Sequence, residues 1–182
     1  MKYILYIFLI TICYNCKEFT SDSKNEDKKD FRCGLEELVL KERKKGEIYF
    51  LKEPISDDGV LEFKLAYLGN VQSKKMDLMF LLTTTYTGLY QDSKRASSNI
   101  VLYTNNLERL GQYYISGDFQ ELPIIENNNL IFTNKLNYCN QTTQISFKDS
   151  IPQEIFIHCK EENGQMFGDV YSFEKRKKKK QK

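Results

Sequence analysis

Apolar and polar residues alternate with a period of two along most of the chain from Gly46 onward. In residues 60–68 (VLEFKLAYL) this alternation places four apolar side chains on one face of a strand, namely Leu61, Phe63, Leu65 and Tyr67. Residues 76–86 (MDLMFLLTTTY) are a continuous apolar and β-branched run. Such a run indicates a central strand that is buried on both faces.

Seven further segments have the length and composition of strands: GEIYFL, NIVLYT, QYYIS, NLIFT, TQISF, EIFIHC and MFGDVYSFEK. The last two flank Asn163-Gly164, a strong hairpin signal. About eight or nine short strands joined by polar turns predict a mainly β fold, either an antiparallel β-sandwich or an open barrel. We expect a single domain over residues 33–174, with at most one short N-terminal helix in residues 33–45 (CGLEELVLKERKK).

The amino-terminal leader bears on where the protein works. Residues 3–14 are almost wholly apolar, but a membrane-spanning helix needs about 20 such residues. The sequence ICYNC-KEF, in which a Cys ends the apolar run and polar sequence follows, resembles the leader of bacterial lipoproteins. The resemblance covers only about the first twenty residues. It implies that residues 1–15 are removed and that Cys16, rather than Cys13, carries the acyl chains, followed by a flexible tether over residues 16–32. An ordinary secretory signal and an uncleaved anchor or buried strand are the alternatives.

Composition and charge exclude several classes of protein. An apolar content of 41% with 13% aromatic residues is typical of a globular domain rather than a disordered chain. Seven positive charges lie in residues 175–182 (KRKKKKQK), so the rest of the chain carries about −5 of the net charge of +2. This basic tail is expected to be solvated and disordered, although it could contact acidic headgroups or an acidic partner. An exported protein is not expected to bind nucleic acid.

The cysteines and the single histidine predict a disulfide rather than a metal site. With Cys16 acylated, the mature chain would retain Cys33, Cys139 and Cys159. We favour a Cys139–Cys159 pair, while pairing with Cys33 or no disulfide remain open. His158 and Cys159 are neighbours in a strand and point to opposite faces, so they cannot easily bind one ion. No metal and no cofactor are expected.

Catalytic motifs are also scarce. The chain has no G-x-S-x-G, G-x-x-x-x-G-K or H-E-x-x-H sequence. Any Ser-His-Asp or Cys-His site would have to use His158, which lies in an apolar strand-like run. The remaining option is a pair of carboxylates, but the candidate acids lie in turns: Asp57, Asp58, Glu161 and Glu162. The sequence therefore favours a protein that is not an enzyme, with an envelope hydrolase as the alternative.

Tyrosines supply the candidate binding residues, since they offer a large contact area at low entropic cost. Five of them crowd the middle of the chain: Tyr86, Tyr90, Tyr103, Tyr113 and Tyr114. They could equally be core residues and cross-strand pairs. We therefore expect a lipid-anchored protein of the cell envelope whose β domain binds a protein or glycan as an immunity or inhibitor protein, an adhesin or an assembly subunit. An unlipidated, disulfide-bonded secreted protein is a further alternative.

Overall fold

A computed structural model of the chain describes residues 26–56, 59–88, 94–119, 121–136, 139–160 and 166–176. The chain divides into two compact units, Met1–Glu42 and Arg43–Lys182. The predicted lipid attachment site at Cys16 lies outside the described residues. In the described part of the chain, no helix combines the length and the apolar character needed to cross a membrane.

In its described residues, the first unit contains one helix, α1, at Glu26–Glu42. It begins inside the stretch that the sequence suggested as a flexible tether. Two ion pairs at helical spacing stabilise it: Arg32 with Glu36 at 3.4 Å and Glu37 with Lys41 at 2.6 Å. The first of these pairs joins a residue of the expected tether to a residue of the expected helix.

The second unit contains ten antiparallel strands in its described residues. They are β1 (Ile48–Ser56), β2 (Gly59–Gln72), β3 (Asp77–Thr87), β4 (Arg95–Thr104), β5 (Arg109–Ser116), β6 (Ile124–Glu126), β7 (Asn129–Leu136), β8 (Cys139–Ser146), β9 (Glu154–Lys160) and β10 (Met166–Lys175). A seven-stranded sheet has the order β1-β2-β3-β4-β5-β10-β9, and a three-stranded sheet has the order β6-β7-β8. The predicted mainly β, sandwich-type class is confirmed. The strand that the sequence missed is β6, because three residues are too short to show a period.

The hydrophobic core lies between the two sheets and draws on both of them. Phe147, which follows β8, is fully buried at its centre. The ring of Phe147 packs edge-on against Phe80 of β3, with centroids 4.8 Å apart, and against Tyr113 of β5 at 6.3 Å. Edge-to-face aromatic pairs contribute about 0.5–1.5 kcal/mol beyond the area that they bury. This cluster therefore fixes how the small sheet sits on the large one.

A two-residue turn joins β6 to β7 and also ties the two sheets together. Asn127 and Asn128 both have positive φ, at 50° and 61°, which a tight hairpin turn requires and asparagine tolerates. The Asn128 side-chain oxygen accepts a hydrogen bond from the Gln72 backbone at 3.1 Å, and its carbonyl accepts one from Phe147 at 3.0 Å. The turn thus contacts the end of β2 and the segment after β8.

Gly111 allows β5 and β10 to approach each other closely. A Cβ atom at this position would lie 2.3 Å from the carbonyl oxygen of Glu174 and 2.6 Å from the ring of Phe173. Only glycine avoids this overlap. The joint between β5 and β10 is short, because their paired residues run only from Phe173 to Lys175 on β10.

Candidate functional site

The β9–β10 hairpin extends beyond the strand beside it. Residues 166–172 of β10 pair with β9 in an unbroken antiparallel register. On its other side, β10 pairs with β5 only through residues 173–175. Among the described residues, most of this hairpin is therefore a two-stranded ribbon at the end of the large sheet. The predicted antiparallel pairing of these two segments is confirmed, while the turn at Asn163-Gly164 lies outside the described residues.

This ribbon exposes large apolar side chains. Four of them form what we call the hairpin surface: Phe156 (38% exposed), Met166 (56%), Phe167 (45%) and Val170 (58%). Val170 is the cross-strand partner of Phe156, so these two side chains share a face. The Phe156 ring stacks on His158 at 5.2 Å between centroids. Met166 lies on the same face as this pair, whereas Phe167 lies on the other face of the ribbon. Exposed apolar residues that cluster in this way mark interaction sites more often than isolated ones do.

A glycine explains how closely the two strands of the ribbon approach each other. A Cβ atom at Gly168 would lie 2.2 Å from the Ile157 carbonyl oxygen, so glycine lets β9 and β10 approach closely. Because Gly168 is the cross-strand partner of His158, that position contributes no side chain to the surface. No side chain at position 168 therefore covers Met166 or Val170, which lie on either side of the Gly168–His158 pair.

The four candidate tyrosines that the structure describes are not brought together on one surface. Tyr103 and Tyr113 are buried in the protein, and the Tyr113 hydroxyl donates to the Pro152 carbonyl at 2.6 Å. Burial raises the pKa of Tyr113. Tyr114 is 48% exposed on β5, whereas Tyr90 lies outside the described residues. Of the set, Tyr114 and the partly exposed Tyr86 are the described members whose side chains reach the surface.

A polar network lies at one end of the large sheet around two carboxylates. Glu62 is 3.0 Å from the ammonium groups of both Lys52 and Lys94. Hydrogen bonds from Lys52 and then Lys94 lower the pKa of Glu62. A general acid needs the opposite, a raised pKa. Glu62 therefore behaves as a structural counter-ion rather than as a proton donor.

The second carboxylate of this network is Asp118. It accepts a hydrogen bond from the Tyr86 hydroxyl at 2.6 Å and lies 3.3 Å from the ammonium nitrogen of Lys64. Burial, followed by the bond to Asp118, raises the pKa of Tyr86. Asp118 is thus paired as Glu62 is. The turn acids at positions 57, 58, 161 and 162, on which a hydrolase site was considered, lie outside the described residues.

The cysteines and the histidine considered for a disulfide or a metal site lie in β8 and β9. Cys139 begins β8 and Cys159 lies in β9, but their side chains are outside the described part, so the disulfide stays a prediction. His158 is partly buried beside Phe156. Within the described residues, no group of three or more His, Cys, Asp or Glu side chains is placed to hold a metal ion.

The hairpin surface is the functional candidate that sequence reasoning missed. A signal was present, since β10 reads MFGDVYSF with apolar residues on both of its faces near the amino end. By itself, that pattern predicts only a strand.

Comparisons with known proteins add no relative. No protein-family model, no curated protein sequence and no solved structure matches this chain.

Proposed function

We propose that this chain is an exported, lipid-anchored protein without enzymatic activity, and that its β unit binds a protein partner through the hairpin surface. Export and anchoring rest on the leader and on Cys16. Binding rests on one observation, the exposure of Phe156, Met166, Phe167 and Val170 on a ribbon at the end of the sheet.

A protein partner suits this surface better than a glycan. Met166 and Val170 are aliphatic and offer no hydrogen bond to sugar hydroxyls. Protein interfaces, in contrast, have apolar centres in which aromatic residues and methionine are enriched. The partner belongs to the classes that an envelope protein meets: a toxin to be inhibited, a host surface protein or a neighbouring assembly subunit.

Site-specific photo-crosslinking in the producing cells tests the binding proposal. A benzophenone amino acid is introduced in place of Phe156 or Phe167, and Phe50 serves as the matched control. Phe50 is a phenylalanine of β1, 65% exposed, on the opposite edge strand of the same sheet. We expect discrete protein adducts from positions 156 and 167 and none from position 50. Equal adducts from all three positions, or no adduct at 156 and 167, would contradict the proposal.

The anchor is tested separately by the intact mass of the protein from the membrane fraction. We expect a chain that begins at Cys16 and carries added diacylglycerol and acyl mass. Inhibition of the lipoprotein signal peptidase should leave residues 1–15 attached. A mature protein without lipid, or one that keeps those residues without inhibition, would overturn the anchoring proposal while leaving the crosslinking result intact.

A further inference from the structure

The backbone of β10 has one open edge along the ribbon. The Phe173 amide donates to the Gln153 carbonyl at 2.7 Å, so residue 173 directs its backbone groups toward β9. In an antiparallel strand successive residues direct these groups to opposite sides. Val170 and Ser172 therefore direct their N–H and C=O groups away from β9. On that side, the pairing with β5 ends at Phe173, and within the described structure no strand pairs with residues 166–172; β5 itself continues to Ser116, whose side chain hydrogen-bonds to Tyr171.

The edge strands of the large sheet, β9 and β1, have features that hinder pairing with a further strand, and residues 166–172 of β10 lack them. On β9, the His158 amide and carbonyl both lie 3.4 Å from the Thr143 hydroxyl of β8. On β1, the edge contains Lys52 and Pro54, and proline has no N–H to offer. No lysine or proline occurs in residues 166–172. An edge without such residues is a template for another strand.

We infer that the proposed partner binds by adding an extended strand of its own to β10 along residues 166–172. This inference rests on the proposed function and names its mode. Unpaired backbone donors and acceptors are matched best by another polypeptide backbone. Since Val170 lies on one face of β10 and Phe167 on the other, the added strand carries apolar residues on both of its faces.

The charge on this edge favours a cationic partner strand over a second copy of the chain. Asp169 is exposed at the centre of residues 166–172, where its carboxylate lies 3.4 Å from the Tyr171 hydroxyl. Antiparallel pairing of two copies over this whole segment would place the two Asp169 residues directly opposite each other, which is unfavourable. A lysine or arginine of the partner opposite Asp169 would instead be attractive.

Labelled synthetic peptides of nine residues test this mode with the purified protein. One has Val on both faces around a central Lys, with Thr at its two ends, a second has Glu in place of that Lys, and a third is the Lys peptide N-methylated at alternate amides. We expect the Lys peptide to bind roughly tenfold more tightly than the Glu peptide in fluorescence anisotropy. We also expect N-methylation to abolish binding.

Substitutions at position 170 separate the backbone from the side chain. Val170→Pro removes an N–H that faces away from β9, so the hairpin pairing is retained, while Val170→Ala keeps that N–H. We expect the proline variant to lose the Lys peptide by at least about tenfold and the alanine variant to lose much less. If Val170→Pro unfolds, hydrogen exchange on the unmodified protein replaces it: the Lys peptide should protect the Val170 amide.

Three outcomes would overturn the inference: binding insensitive to N-methylation and to Val170→Pro, no protection of the Val170 amide, or dimerisation of the protein through this edge. The proposed function is judged separately. If the crosslink from position 156 persists in Val170→Pro at its normal yield, the partner binds through the apolar face alone. Strand addition would then be wrong, and the proposed function would stand.

Discussion

Two buried hydroxyl groups form a hydrogen-bonded chain, and it predicts that the effect of Thr84→Val on stability depends on whether Ser98 is present. Thr84 of β3 and Ser98 of β4 are fully buried, and their side-chain oxygens lie 2.9 Å apart. Ser98 also donates to the Gly117 carbonyl at 2.6 Å. A hydroxyl has only one proton to donate, so Thr84 must be the donor to Ser98. The order of donation is therefore Thr84 to Ser98 to Gly117.

This order gives different costs for the two single substitutions. Thr84→Val removes one hydrogen bond and leaves Ser98 with its acceptor, so it should cost about 1 kcal/mol. Ser98→Ala leaves the buried Thr84 hydroxyl without its acceptor and also removes the bond to Gly117. We expect a cost of about 2–3 kcal/mol, because an unsatisfied buried polar group carries its full desolvation penalty.

The double variant is the decisive measurement. Once Ser98 is alanine, Thr84→Val removes an unsatisfied hydroxyl, so we expect it to be neutral or to stabilise the protein. A double-mutant cycle from urea unfolding, followed by circular dichroism, should give a coupling of about 1–2 kcal/mol. Thr83→Val is the control: its buried hydroxyl has no hydrogen-bond partner among the described residues, so this change should stabilise the protein. Additive costs at positions 84 and 98 would refute the assigned order.

Two further predictions concern the joint of the hairpin and the polar network. Gly111→Ala should lower the free energy of unfolding by about 2–4 kcal/mol, because its Cβ would overlap the Glu174 carbonyl. Gly34→Ala in α1 is the control: a Cβ has open space there, so this change should stabilise the protein slightly. Equal effects of the two substitutions in thermal unfolding would contradict this account. Glu62 has a pKa lowered by hydrogen bonds from Lys52 and a second lysine, so its stabilising contribution is present above pH about 4.5 and is lost as the pH falls through its folded-state pKa. Glu62→Gln should therefore be less stable than the parent at pH 7, and this difference should shrink as the pH falls below about 4.5; a constant difference would exclude the ion pairs as the cause.

The sequence predicts those strands in which the pattern of apolar residues matches the pattern of buried positions. The run in residues 76–86 was expected to be a strand buried on both faces, and residues 78–84 of β3 are indeed buried. In β2 the alternation marked the face with Glu62 and Lys64 as the polar one. Yet Lys64 is only 8% exposed. Its ammonium group is satisfied by Asp118, which lies 54 residues away in the chain, and no local pattern contains that information.

The hairpin surface could not be predicted from the sequence for a related reason. Residues 166–175 read as a strand because they contain apolar residues, but the pattern does not say how far β5 pairs with them. The pairing stops at Tyr113 although β5 continues to Ser116, so even the length of β5 does not set it. An apolar side chain that covers the core and one that is exposed at the surface have the same hydrophobicity. Only the tertiary arrangement distinguishes the buried Ile155 from its exposed neighbour Phe156.

The energetics of the proposed binding argue that the backbone edge of β10 takes part in it. Full burial of one side chain of the hairpin surface yields about 1.5–3 kcal/mol, and roughly half of each of the four is still exposed. About 3–6 kcal/mol thus remains to be gained from these four side chains, which lie on the two faces of the ribbon. Association costs about 4–15 kcal/mol in lost translational and rotational freedom. Burial of these four side chains alone therefore offsets little more than the lower end of this cost. Stable binding requires a further contribution, and the backbone groups of Val170 and Ser172 are placed to supply it through an added strand.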